Sequence, residues 1–218
     1  MHKKANTYPS VKDIKLDKKK HLIICDADEV IFHFMPAFEK FLKTKGLYFS
    51  WESYKLNGNI KNNIDNDPVK DKCVKKLIIS FFKINTIKLK TIRGAAETLA
   101  HLSKNYNILI LSNLPFAEYE SRVLALKNNG MPYQLIANSG GKGIAISEIT
   151  KNFRKNIWFI DDSPNQLQSV GKYKESAKRI HFLSHVKLSL LIGKVSDCEY
   201  SAKNWSDIRK IIEESEKS

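Results

Sequence analysis

Asp26 and Asp28 stand one residue apart at the end of an apolar run, in the stretch HLIICDADEVIF. A buried strand that ends in paired carboxylates carries a desolvation cost, so a chemical use is expected there. Two further apolar runs end in polar groups. YNILILSN ends in Ser112 and Asn113, and NIWFIDDS carries Asp161 and Asp162. Lys142 lies between these two runs, flanked by Gly141 and Gly143 at the start of an expected helix. In open parallel sheets ligands bind outside the carboxyl ends of the strands. Four acids, one hydroxyl and one lysine are therefore expected to converge on one sheet edge. Four carboxylates cannot all stay ionised together in a partly dry site. A divalent cation removes the repulsion, and hard oxygen donors favour Mg²⁺. With the cation and Lys142 counted, the site suits a phosphate, whose oxygens Ser112 and backbone N–H groups can bind. A free carboxylate aimed at phosphorus can form an acyl phosphate. A second can protonate the leaving oxygen and then activate a water.

The elements that must position these groups alternate. Residues 21–26 read as a strand bounded by polar residues. Helix (93–105), strand (106–113), helix with Pro115 near its start and Gly130 at its end, and the short strand YQLIAN follow in order. GKGIAISEITKNF reads as a helix entered through glycines. The strand NIWFIDDS, a helix from Pro164, the strand KRIHFLS and a last helix, WSDIRKIIEESEK, complete the series. Such alternation predicts an α/β fold with a parallel sheet flanked by helices. Residues 34–91 break the pattern. Phe38, Phe41 and Leu42, and later Val74, Leu77, Ile78, Phe81 and Phe82, recur at helical spacing around a turn-rich middle. This block reads as a small, mostly helical insertion, with Phe41, Phe81 and Phe82 as its core. The expected organisation is a basic N-terminal segment (1–19), a core domain (20–33 and 92–218) and the insertion (34–91).

Composition bounds the alternatives. The chain has 218 residues, a hydrophobic fraction of 42% and a net charge of +14. No apolar run approaches the roughly 20 residues of a membrane helix, and the N-terminus carries no apolar region of a secretory signal. The cysteines Cys25, Cys73 and Cys198 are odd in number and widely spaced, which fits reduced thiols in a cytoplasmic protein. No CxxC suggests zinc. The positive charge is nearly all lysine, which suits a solvated surface, and arginine, the better bidentate phosphate ligand, is scarce. A nucleic-acid partner is not expected.

With these residues in view, the sequence resembles the haloacid dehalogenase (HAD) superfamily of hydrolases. DADEV is similar to its DxDx[TV] signature, ILILSN to its second motif, Lys142 to its third-motif lysine and IWFIDDS to its fourth motif. The four occur in the right order over roughly residues 20 to 185. The resemblance implies a Rossmann-like core with a small helical cap between the first two motifs. It implies Asp26 as nucleophile and metal ligand, and Asp28 as acid/base with its carbonyl on Mg²⁺. It implies Ser112 on the phosphate, Lys142 orienting nucleophile and phosphate, and Asp162 as the principal acidic metal ligand beside Asp161. Asn113 and Glu29 join the expected substrate contacts. His33 follows the loop and suits substrate contact or packing equally. Two departures stand out: Gly143 follows the lysine where proline is commoner, and Gln166 stands where a further acid is usual.

The expected activity is Mg²⁺-dependent hydrolysis of a small phosphate monoester through an aspartyl phosphate. The alternative is a phosphatase acting on nucleotides or nucleic-acid ends. A phosphorylated receiver domain would place the acidic pair first and the isolated aspartate later, the reverse of the order here. A calcium loop needs a ligand and a glycine where Val30 and Ile31 stand. SGGKG lacks the earlier glycine and the Ser/Thr of a Walker loop.

Overall fold

The computed structural model describes residues 4–193, 195 and 198–216. Its central sheet has seven strands, in the spatial order β1 (Thr7–Tyr8), β6 (Gln134–Asn138), β5 (Tyr106–Ser112), β2 (His21–Cys25), β7 (Ile157–Asp161), β8 (Lys178–Phe182) and β9 (Tyr200–Ala202). All neighbours are parallel except β1, which runs antiparallel along β6. From β2 the chain builds outward through β5 and β6, then returns to the other side of β2 to add β7, β8 and β9. The direction of growth therefore reverses at β2, where open α/β sheets place their ligands.

The strands are apolar on both faces because both faces are covered. On one face Leu22, Ile24, Leu109, Leu111, Ile157 and Phe159 pack with Ala145 and Ile146 of α5 (Lys142–Ile149) and Leu167 and Val170 of α6 (Pro164–Tyr173). On the other, Ile23, Cys25, Ile108, Ile110, Trp158 and Ile160 pack with α3 (Ala95–Leu102), α4 (Tyr119–Asn128) and α8 (Trp205–Ser215). Ile208, Ile212 and Trp205 of α8 are buried, and the Trp205 indole N–H donates to the Val30 carbonyl at 3.0 Å. The last helix is thereby tied to the loop that follows Asp28.

Gly143 explains one departure. A Cβ there would lie 2.1 Å from the Ser169 backbone oxygen, so α5 and α6 approach more closely than any side chain permits. The Gly143 N–H donates to the Ser169 hydroxyl at 3.1 Å in that contact.

Residues 34–91 contain α1 (Met35–Lys43), α2 (Asp71–Asn85) and an antiparallel hairpin of β3 (Leu47–Phe49) and β4 (Ile60–Asn62). The hairpin is an addition to the sequence expectation; three-residue strands are too short to display a period. Phe34, Phe38, Phe41, Phe81 and Phe82 form an aromatic cluster, with Phe34 5.1 Å from Phe38 and 5.0 Å from Phe81. This cluster is continuous with the core beneath α3, α4 and α8. Of the basic N-terminal segment, residues 1–3 lie outside the described residues, and Thr7–Tyr8 forms the sheet edge. Lys217, at the end of the expected last helix, also lies outside them.

Candidate active site

The strand period places the charges. Asp26 continues the β2 alternation onto the face of Leu22 and Ile24, and its N–H still pairs with the Ile160 carbonyl at 2.9 Å. Asp161 likewise follows Ile157 and Phe159. Both therefore face the start of α5, where Lys142 stands. The Lys142 ammonium, fully buried, lies 2.5 Å from Asp26 Oδ1 and 2.6 Å from Asp161 Oδ2. Burial alone would discharge it, but the two carboxylates outweigh that cost and hold it charged, above the usual lysine range. Asp26 is pushed up to about 7, first by burial and then by Asp161 and Asp28, against the pull of Lys142.

Gln166 accounts for the second departure. Its side-chain oxygen accepts from the Lys142 backbone N–H at 2.8 Å, fixing the first turn of α5. Asp161 is doubly engaged, since Oδ1 also accepts from the Ser163 N–H at 2.9 Å. The Asp162 carboxylate accepts no hydrogen bond among the described residues. It is pushed well above the usual range by burial, then by Asp161, Asp26 and Glu29. Oxygens of Asp26, Asp161 and Asp162 lie within 4.8 Å of one another, a spacing one cation can span. An all-carboxylate donor set of this kind fits Mg²⁺.

Asp28 is held apart from that cluster. Its Oδ1 pairs with Nη2 of Arg122 at 2.7 Å, and the Ser112 hydroxyl donates to Oδ2 at 3.4 Å. Arg122 is fully buried, with its guanidinium 4.9 Å from the Phe32 ring centre. The sequence reading missed it, although a signal existed: Arg122 shares a helical stripe with the buried Ala125 and Leu126. An arginine on an apolar stripe, in a chain whose cations are mostly lysine, calls for a partner.

A cavity of about 310 Å³ opens above these groups, lined by Asp26, Asp28, Glu29, Asn113, Lys142, Asp161, Asp162, Ser163 and Gln166 at its polar end. Two expected substrate contacts lie elsewhere. Ser112 is fully buried against Asp28 and is not on the cavity wall, because the β5 alternation turns it to the face opposite Lys142. His33 lines a different cavity, with Lys40, Phe41 and Lys90, because its N–H pairs with the Lys90 carbonyl at 2.9 Å beyond the loop. Asn113 is steered by the Gly140 carbonyl and by Asn138, at 2.9 and 2.7 Å. Glu29 adopts a left-handed φ of 58°, unusual outside glycine and a recurrent mark of functional loops. One of its oxygens accepts from the Met35 N–H at 2.5 Å, and the other is buried without a partner among the described residues. Burial above all pushes this carboxyl up to about 7.

Among the solved structures that match over nearly their whole length are these three. One is a haloacid dehalogenase-like hydrolase from Streptococcus pneumoniae, with a TM-score of 0.61 and 11% identity, covering 89% of this chain and 99% of its own. Another is a provisionally named phosphoglycolate phosphatase from Lactobacillus plantarum, with a TM-score of 0.60 and 11% identity, covering 88% and 99%. The third is a provisionally named HAD-hydrolase from Bacillus subtilis, solved bound to magnesium, with a TM-score of 0.59 and 10% identity, covering 89% and 99%. The chain has the HAD-like hydrolase fold. An L-2-haloacid dehalogenase is also among the structures that share it. No protein-family model and no curated protein sequence matches. In this HAD-like fold the four motif segments identified from the sequence all reach the end of the sheet where β2, β5 and β7 terminate.

The rim of the cavity comes from the insertion. Phe34, Met35, Tyr54, Leu56, Ile78 and Phe82 supply most of its apolar wall, joined by Leu188 and Ile192 of α7 (Val186–Ile192). Phe82 thus serves both the aromatic core and the wall. The loop bearing Tyr54 and Leu56 is built around Asn59, whose side chain accepts from the Glu52 and Ser53 N–H groups at 3.0 and 3.1 Å and donates to the Lys55 carbonyl at 2.8 Å. Trp51 stacks on His185, with ring centres 5.0 Å apart and planes 11° apart, and so fastens this loop beside α7.

Proposed function

We propose that the protein is a Mg²⁺-dependent phosphatase that hydrolyses a phosphate monoester through an aspartyl phosphate on Asp26. The observation that carries this reading is the separation of two carboxylates onto two different cations, Asp26 on Lys142 and Asp28 on Arg122. The first stands beside the Asp161 and Asp162 oxygens, and its position at a strand end suits attack on a metal-held phosphate. The second is oriented independently, as a group that donates a proton to the leaving oxygen and later takes one from water must be. When bound, Mg²⁺ neutralises the carboxylate cluster and draws charge from the phosphoryl oxygens. Lys142 holds Asp26 in place, and Asn113 and Gln166 line the side where the phosphate would enter. Asp28 also argues against dehalogenation, in which no alkoxide needs protonating. Free Cys25, Cys73 and Cys198 fit a reducing, cytoplasmic setting. No helix among the described residues is long and apolar enough to cross a membrane.

The test is hydrolysis of p-nitrophenyl phosphate, expected to require Mg²⁺ and to stop with EDTA; full activity in chelator would sink the metal assignment. Asp162→Asn is expected to raise the Mg²⁺ requirement more than Asp161→Asn, because the Asp161 oxygens are already occupied by Lys142 and the Ser163 N–H. The reverse order would reassign the principal ligand.

Arg122→Met is expected to lower turnover by about 10- to 100-fold, the scale on which partners of site residues act. The loss should fall on kcat, since Arg122 does not line the cavity. A change confined to KM would place the guanidinium on substrate instead.

A further inference from the structure

Resting on the phosphatase reading, we propose that the alcohol released by this site is apolar in body and carries no second anionic group. Two observations point there together. The first is the wall beyond the polar end of the cavity. Phe34, Tyr54, Leu56, Ile78, Phe82 and Leu188 line it, and the Tyr54 hydroxyl is their only polar side-chain atom. The cavity volume of about 310 Å³ lies at the small end of ligand sites, so a phosphate leaves room for a compact organic group against that wall.

The second observation is charge. The residues lining the cavity include five carboxylates, Asp26, Asp28, Glu29, Asp161 and Asp162, and one cationic side chain, Lys142. Lys142 is already shared between Asp26 and Asp161, and the Arg122 guanidinium is buried behind Asp28, off the wall. A divalent cation is consumed by the carboxylates and the phosphate. A carboxylate or second phosphate on the leaving group would therefore meet no lining cation among the described residues. It would instead share the cavity with the Glu29 carboxyl, one oxygen of which is already buried without a partner among the described residues. Like charges in such a partly dry site repel strongly. An apolar group gains the transfer free energy of leaving water, about fourfold in affinity per buried methylene. The insertion supplies five of the six wall residues named above.

The experiment measures binding rather than turnover. The full-length protein with Mg²⁺ is titrated calorimetrically with methyl-, ethyl-, butyl- and phenylphosphonate, 2-aminoethylphosphonate and phosphonoacetate. Affinity is expected to rise about fourfold per methylene from methyl to butyl, with phenylphosphonate among the tightest. Phosphonoacetate should bind at least about tenfold more weakly than ethylphosphonate. Ile78 is only partly buried, so Ile78→Lys leaves the core intact; it should weaken butylphosphonate about tenfold and tighten phosphonoacetate. A flat series, tightest binding by phosphonoacetate or 2-aminoethylphosphonate, or no binding of any phosphonate would overturn the inference. Failure of the phosphatase reading shows separately, as absence of Mg²⁺-dependent hydrolysis of any ester despite ordered phosphonate binding.

Discussion

Asp26→Asn is expected to lower turnover of every phosphate ester by at least about 10⁴-fold. The amide keeps the shape of the side chain and can still meet Lys142, but it offers no nucleophilic oxygen. The fold should survive, because Asp161 still pairs with Lys142 at 2.6 Å and the bond from the Asp26 N–H to the Ile160 carbonyl is a backbone contact. Asp28→Asn is the control. Attack remains possible, so its loss should be roughly 10²- to 10⁴-fold for a poor leaving group, the range of general acid catalysis. The loss should shrink for nitrophenolate, which departs without a proton. Acid-quenched protein examined by mass spectrometry separates the roles. A phosphoryl adduct on Asp26, accumulating in the Asp28→Asn variant, is the expected result. An adduct on Asp28, or full turnover by Asp26→Asn, would overturn the assignment.

Much of this arrangement is legible in the strand period. Residues 22, 24 and 26, and 157, 159 and 161, share the sheet face that meets α5. An apolar run that ends in acid therefore announces both where the charge sits and which way it points. The same rule, carried through β5, turns Ser112 toward α4 and Asp28 rather than toward the cavity, a consequence the motif resemblance alone does not reveal. Arg122 was missed for a different reason. Its partner is 94 residues away in sequence, and only the packing of α4 against the loop after β2 brings them together. β3, β4 and β9 are three residues each, which leaves no period to read. Gly143 and Gln166 depart from the commoner motif residues in the sequence. In the structure they are fittings: one admits the Ser169 backbone, and the other holds the Lys142 N–H.

Lys142→Met is expected to cost the metal-free protein about 3–5 kcal/mol, the usual penalty for removing one partner from a buried charge cluster. Methionine matches the lysine in volume, so packing is nearly conserved and the loss is electrostatic. Asp26 and Asp161, 2.5 and 2.6 Å from the ammonium, would be left facing each other across a dry gap. The penalty depends on pH in a definite direction. The Asp26 carboxyl is pushed up to about 7, principally by burial, so the folded state holds its proton more tightly than the unfolded chain does. Stability from such a group is present in full below its ordinary range, near 4, and is lost as pH rises through about 7. Without the lysine, ionisation of Asp26 becomes less favourable still. The variant should therefore come closest to the wild type at pH 5 and fall furthest behind at pH 8. Mg²⁺ should close part of the gap at pH 8, because a cation among Asp26, Asp161 and Asp162 restores the missing positive charge. Adding Asp161→Asn to Lys142→Met should recover part of the metal-free loss by removing one of the opposed charges. Denaturant melts of the three proteins at both pH values, with and without Mg²⁺, measure every term. A penalty that is equal at pH 5 and pH 8 and indifferent to Mg²⁺ would mean that Lys142 acts through packing, and that the carboxylates around it are not the charged centre of the site.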